Sequence, residues 1–79
     1  MKNAVTQLKE GFGGRISHFT DDRIAGKLMT MGVLPGSQVR VVRIAPFKGG
    51  YYLKVDGMNL VVRNDEASSI MTVGDEMEN

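Results

Sequence analysis

Met31-Gly32-Val33-Leu34-Pro35-Gly36 is the point at which this 79-residue chain changes its period. Before it, Ile24, Leu28 and Met31 recur at the spacing that places apolar side chains on one face of a helix. After it, Val39, Val41 and Ile44 stand among Arg40, Val42 and Arg43, a pattern that reads mostly as a strand. Gly32 suits the left-handed conformation that stops a helix, with Val33 or Leu34 folding back onto the last turn, and Pro35 prevents the helix from resuming. Pro35-Gly36 then has the composition of a type II turn, proline second and glycine where φ is positive. The stretch is a helix stop followed by a redirection into a strand.

Upstream, Val5 and Leu8 form an apolar anchor, Lys9-Glu10-Gly11 a turn, and Gly13 to Phe19 a strand whose glycines permit a bend or close strand packing. Gly11-Phe12-Gly13-Gly14 lacks the spacing and the lysine of a phosphate loop. Thr20, Asp21 and Asp22 open a helix expected from about Asp22 to Met31, and any of the three suits its cap. Gly26 inside that helix costs about 1 kcal/mol against alanine, which suggests either a close approach of helix to sheet or, equally, a tolerated weakness. Downstream, Val39 to Ala45 has a mixed alternation that requires curvature or a bulge. Pro46 to Gly50 is a loop, Tyr51 to Val55 a strand, and Asp56-Gly57 a strong hairpin signal leading to Asn59 to Arg63. Asn64 to Ala67 makes a turn or a single helical turn, and Ser69 to Val73 a last strand. Several short strands and one early helix favour a small, strongly bent sheet closed into a partly open barrel. The core spans about residues 5–73, and residues 74–79, with Asp75, Glu76 and Glu78, form an acidic tail expected to fray.

Composition narrows the function. There is no cysteine, so disulfides, zinc thiolates and cysteine nucleophiles are excluded. No apolar run reaches signal-peptide or membrane-spanning length, which points to the cytoplasm. Ten Lys and Arg against nine Asp and Glu give a net charge of +1, little general attraction for nucleic acid. Ser17 adjoins His18, and Ser68 and Ser69 have no base beside them, so no nucleophilic triad is legible and an enzyme is not expected. No cofactor is firmly indicated. A divalent transition metal is the one candidate, with His18, Asp21 and Asp22 as ligands of suitable type, although the two aspartates also serve a helix start. Met29, Met31, Met58 and Met71 read as fillers of an irregular core. The helix end through Leu34 and the Pro46-to-Tyr52 loop offer the mixture of aromatic, apolar and cationic groups that suits a protein interface. Its candidate contacts are Leu34, Phe47, Lys48 and Tyr51, with Arg23 and Lys27 on the polar side of the helix. Tyr51 or Tyr52 would equally cap an open barrel end.

Leu28-Met29-Thr30-Met31-Gly32-Val33-Leu34-Pro35-Gly36, continued by Val39-Arg40-Val41-Val42-Arg43 and Ala45-Pro46, closely resembles the bacterial ferrous iron transport protein A family, an FeoA-like domain. Leu60-Val61-Val62-Arg63, Glu66-Ala67 and Ile70-Met71-Thr72-Val73 resemble its closing hairpin and last strand, so that the likeness runs from Leu8 to Val73. It implies a mostly β, small SH3-like partly open barrel of about five strands with one short α-helix between the first and second strands. Leu28, Met31, Gly32, Pro35 and Gly36 would form the structural corner. It further implies an accessory or regulatory protein of ferrous iron uptake. The implied partner is the cytosolic region of the ferrous iron transporter, which carries a guanine-nucleotide-binding domain, and membrane contact would come only through that partner. Many relatives have Gly-Asp-Pro where this chain has Phe47-Lys48-Gly49-Gly50-Tyr51, an acid exchanged for aromatic and basic groups. A metal sensor or metallochaperone ranks second. A nucleic-acid-binding barrel using Arg15, Arg40, Arg43 and Lys54 ranks third, and self-association through an uncovered strand edge remains open.

Overall fold

A computed structural model describes residues 2–74. Six antiparallel strands form one sheet: β1 (Lys2–Ala4), β2 (Gly13–Phe19), β3 (Gln38–Ile44), β4 (Tyr51–Val55), β5 (Met58–Val62) and β6 (Ile70–Gly74), in the order β1-β6-β2-β3-β4-β5. The α-helix α1 (Asp22–Thr30) lies between β2 and β3, and a short helix α2 (Asn64–Ser68) lies between β5 and β6. The mostly β, SH3-like architecture expected from the sequence is therefore what forms. It has one strand more than expected, because Lys2–Ala4 pairs with Val73, Thr72 and Met71 of β6. That addition makes the helix follow the second strand. The expected acidic tail, from residue 75 on, lies outside the described residues.

The corner at residues 28–37 closes as its chemistry requires. The Gly32 amide donates to the Met29 carbonyl (3.1 Å) and the Val33 amide to the Leu28 carbonyl (3.0 Å), the paired bonds of a Schellman motif, with Gly32 at φ +93°. Val33 and Leu28, both fully buried, supply the apolar contact that accompanies this motif, and Leu34 is left outside. The Ser37 amide then donates to the Leu34 carbonyl (3.0 Å) with Gly36 also at φ +93°, which is the type II turn. The next bond, from the Gly36 amide to the Ile16 carbonyl (2.7 Å), seats the turn against β2.

Val5, Ile16, Leu28, Val33, Val39, Val41, Leu53, Val55, Val62 and Ile70 fill the core, and Leu8, Phe19, Ile24, Met31, Ile44 and Leu60 pack around it. The mixed alternation of β3 resolves as a bulge. Val41 pairs with Leu53 and Arg43 with Tyr52, so Val42 is left between them and exposed, and the strand turns over so that Ile44 faces inward in place of Arg43. Close packing explains Gly13 and Gly14, where a Cβ would overlap the carbonyl oxygens of Val39 and Val73. Gly26 is different: a Cβ there meets nothing within 4 Å, so of its two readings the close helix-to-sheet approach does not occur and the tolerated weakness remains. Met31 and Met71 are half-buried, but Met29 and Met58 are exposed and do not fill the core as expected. No helix among the described residues is long and apolar enough to cross a membrane.

Candidate functional site

The loop from Ala45 to Gly50 is closed by the Ala45 amide donating to the Gly50 carbonyl (3.0 Å) and the Gly49 amide to the Pro46 carbonyl (3.1 Å). At its tip Phe47 and Lys48 both have φ +57°, the sign pattern of a type I′ turn, which ordinarily takes Asn, Asp or Gly. A bulky residue in the left-handed region is an outlier and costs about 1–2 kcal/mol. Phe47 gains nothing in return from burial, since its side chain is 99% exposed. Strain and a solvated phenyl ring at one tip are unfavourable for folding, which is the arrangement expected where a contact with another molecule is the benefit.

Tyr51, by contrast, is 7% exposed and pairs with Ile44 and Val62, so it caps the core under the loop. Tyr52 points outward beside the Arg43 guanidinium, 5.8 Å from its ring centroid. Leu34 is 46% exposed on the corner before β3, whereas Phe47 follows the end of β3. Seven residues of strand separate the two, roughly 20 Å of backbone, so the helix end and the loop form two surfaces and not one patch.

The polar side of α1 is also resolved into separate roles. Asp21 caps the helix, its Oδ1 accepting from the amides of Arg23 (2.9 Å) and Ile24 (3.4 Å), and Thr20 and Asp22 do not. Lys27 donates to Glu66 Oε2 (2.5 Å), while Glu66 Oε1 accepts from the Arg63 amide (2.7 Å) at the start of α2. The Lys27 ammonium first, and then the Arg63 amide, hold the Glu66 carboxyl below the usual glutamate range. Lys27 is therefore tied to α2, whereas Arg23 is exposed on a groove of about 500 Å3 that it lines with Lys27, Arg63, Asp65 and Glu66. Sequence reading missed Glu66; its signal was the spacing from Arg63, three residues, at which a glutamate reaches back to the amide that opens a helix.

His18 Nδ1 lies 3.0 Å from Ser17 Oγ, and no group of three or more His, Asp and Glu side chains able to hold a metal forms among the described residues. The structure thus does not gather His18, Asp21 and Asp22 into one ligand set. The basic residues of β2 and β3 are used within the fold as well: Arg15 Nη1 donates to the Gly36 carbonyl (3.2 Å), Arg40 Nη1 to the Gly11 carbonyl (3.1 Å), and Arg43 lies over Tyr52.

Comparison with known proteins gives these surfaces a context. The FeoA domain family model matches residues 4–73. Comparison with curated protein sequences returned no match. Among solved structures, the chain is similar to an iron uptake regulatory protein (FeoA), at 22% identity over 91% of this chain and 96% of that one, with a TM-score of 0.80. An FeoA protein from Chlorobium tepidum is 26% identical over 90% of this chain and 70% of that one, with a TM-score of 0.76. A manganese-dependent transcriptional repressor in complex with manganese shares the fold, at a TM-score of 0.85 and 18% identity. There, 94% of this chain covers only 37% of the repressor.

Proposed function

The chain belongs to the FeoA domain family, and from its part in ferrous iron transport we propose that it is a non-catalytic accessory protein that binds the cytosolic region of the ferrous iron transporter. The observation that supports a binding role is Phe47, a fully solvated phenyl ring on a turn whose backbone conformation is unfavourable for it. Aromatic side chains lose little conformational freedom on binding and bury a large area, so a single one at a rigid tip can anchor an interface. Lys48 beside it supplies a cation suited to an acidic neighbour on the partner, and Tyr51 supports the loop from below. Leu34 at the helix-to-strand corner and Arg23 on the outer side of α1 belong to a second, separate surface for a partner of domain size, where Lys27 is engaged by Glu66.

The experiment is capture of the transporter from detergent-solubilised membranes by the immobilised chain, with and without guanine nucleotide. Capture that Phe47→Ala weakens, with the chain still folded, supports the reading. An absence of capture under both nucleotide conditions overturns it.

A further inference from the structure

β5 ends the sheet on one side, and its outward backbone groups have no partner among the described residues. The hairpin that makes it is closed by Asp56 and Gly57, both at positive φ, so the flanking residues Val55 and Met58 exchange hydrogen bonds. By alternation Leu60 does so with Leu53, and Val62 with Tyr51. Asn59 and Val61 therefore turn their N–H and C=O groups away from β4. Natural edge strands are usually guarded by charge, proline, a bulge or brevity. The other edge, β1, is three residues long and carries Lys2. β5 has five residues, Met-Asn-Leu-Val-Val, in unbroken register with β4, and Val61 is 51% exposed beside it.

We propose that β5 pairs antiparallel with β5 of a second copy of this chain about a two-fold axis at Leu60, joining two six-stranded sheets into one. This register is fixed by the strand itself. An axis at Leu60 sets Asn59 opposite Val61 of the second copy, and these two residues are the ones with free backbone groups, so four N–H···O=C bonds form. On the inner face the half-buried Leu60 meets Leu60 of the second copy, continuing the row that Leu53 begins, while the exposed Met58 is set opposite Val62 of the second copy, which its own core already buries. No like charges stand opposite one another within the five residues. Just outside, Arg63 falls opposite Gly57 of the second copy and next to its Asp56, an opposite charge. A segment of some other protein would need no such symmetry, whereas a two-fold axis at Leu60 pairs the two residues with free backbone groups with each other and brings Arg63 beside Asp56 of the second copy.

Sedimentation equilibrium of the full chain, from micromolar to near-millimolar concentration, tests the pairing. The expected result is a reversible monomer–dimer equilibrium. Asn59→Lys together with Val61→Lys places two Lys–Lys pairs across the axis and should weaken association about tenfold or more. Asn59→Lys together with Val61→Glu converts both into Lys–Glu pairs and should restore it. Both side chains are exposed, and circular dichroism establishes that each variant is folded. Amide hydrogen exchange on the unaltered chain gives an independent reading: the Asn59 and Val61 amides should gain protection as concentration rises. A chain that stays monomeric throughout, a dimer indifferent to the Lys–Lys variant, or a Lys–Glu variant that does not recover overturns the proposal. The outcome stands apart from transporter capture, which is read through Phe47.

Discussion

Replacing Gly26 and Gly32 by alanine, one at a time, separates two glycines that look alike in the sequence and differ in physical origin. Gly26 is in the interior of α1 on its exposed side, and a Cβ there meets nothing within 4 Å. Alanine loses less backbone entropy on folding and should stabilise the domain by about 1 kcal/mol. Gly32 has φ +93°, where an L side chain costs about 1–2 kcal/mol. Its Cβ would also approach Met58 Cε to 3.1 Å, but that methyl is the end of a flexible, exposed side chain and yields at small cost. For a domain of this size 1 kcal/mol shifts the melting temperature by roughly 4–8 °C. Gly26→Ala should thus raise it by about that amount, and Gly32→Ala lower it by as much or up to twice as much. Thermal unfolding followed by circular dichroism measures both, and urea titration with an unchanged slope shows that folding remains two-state. If the two variants shift in the same direction, or if Gly32→Ala is neutral, the helix stop does not depend on the left-handed residue.

Glu66→Gln removes the charge that Lys27 and the Arg63 amide stabilise, and should cost about 1–2 kcal/mol at neutral pH by chemical denaturation. The folded Glu66 titrates below its ordinary value of 4.5, so its contribution is complete above that value and is lost as pH falls through the folded pKa. The acid limb of the stability profile should flatten accordingly in the glutamine variant. Phe47→Gly should raise stability by about 1 kcal/mol through relief of the left-handed strain, while it removes the proposed contact, so melting temperature and capture move in opposite directions. Tyr51→Ala should destabilise by about 3 kcal/mol and Tyr52→Ala by under about 1 kcal/mol, in line with their burial, when both are unfolded in urea.

The fold was legible wherever a residue type admits few conformations. Gly32, Pro35 and Gly36 defined the corner, Asp56-Gly57 the hairpin, and the uneven alternation of β3 required curvature or a bulge, of which the structure has a bulge at Val42. β1 was not legible, because Lys2–Ala4 has neither alternation nor length. It is held by pairing with β6 and by the Thr72 hydroxyl, which donates to the Asn3 carbonyl (2.8 Å), and both are contacts far apart in sequence. The two readings of Gly26 could not be separated in the sequence, since composition alone does not tell a glycine that must be small from one that is tolerated. Among the candidate contacts, the aromatic content of the 46–52 loop was visible, but not that Tyr51 turns in while Phe47 turns out. The left-handed backbone at Phe47 and Lys48 makes that division, and neither residue type announces it. Lys27 was readable as an exposed helix cation; its pairing with Glu66, 39 positions away, was not.

The most direct test titrates the purified cytosolic region of the ferrous iron transporter against the chain, with guanine nucleotide present and absent, and compares Phe47→Ala with the unaltered protein. The prediction is saturable binding that Phe47→Ala weakens about tenfold or more, as loss of an aromatic anchor does, with no fall in melting temperature. Binding of equal strength by both proteins, or no binding by either, would contradict it.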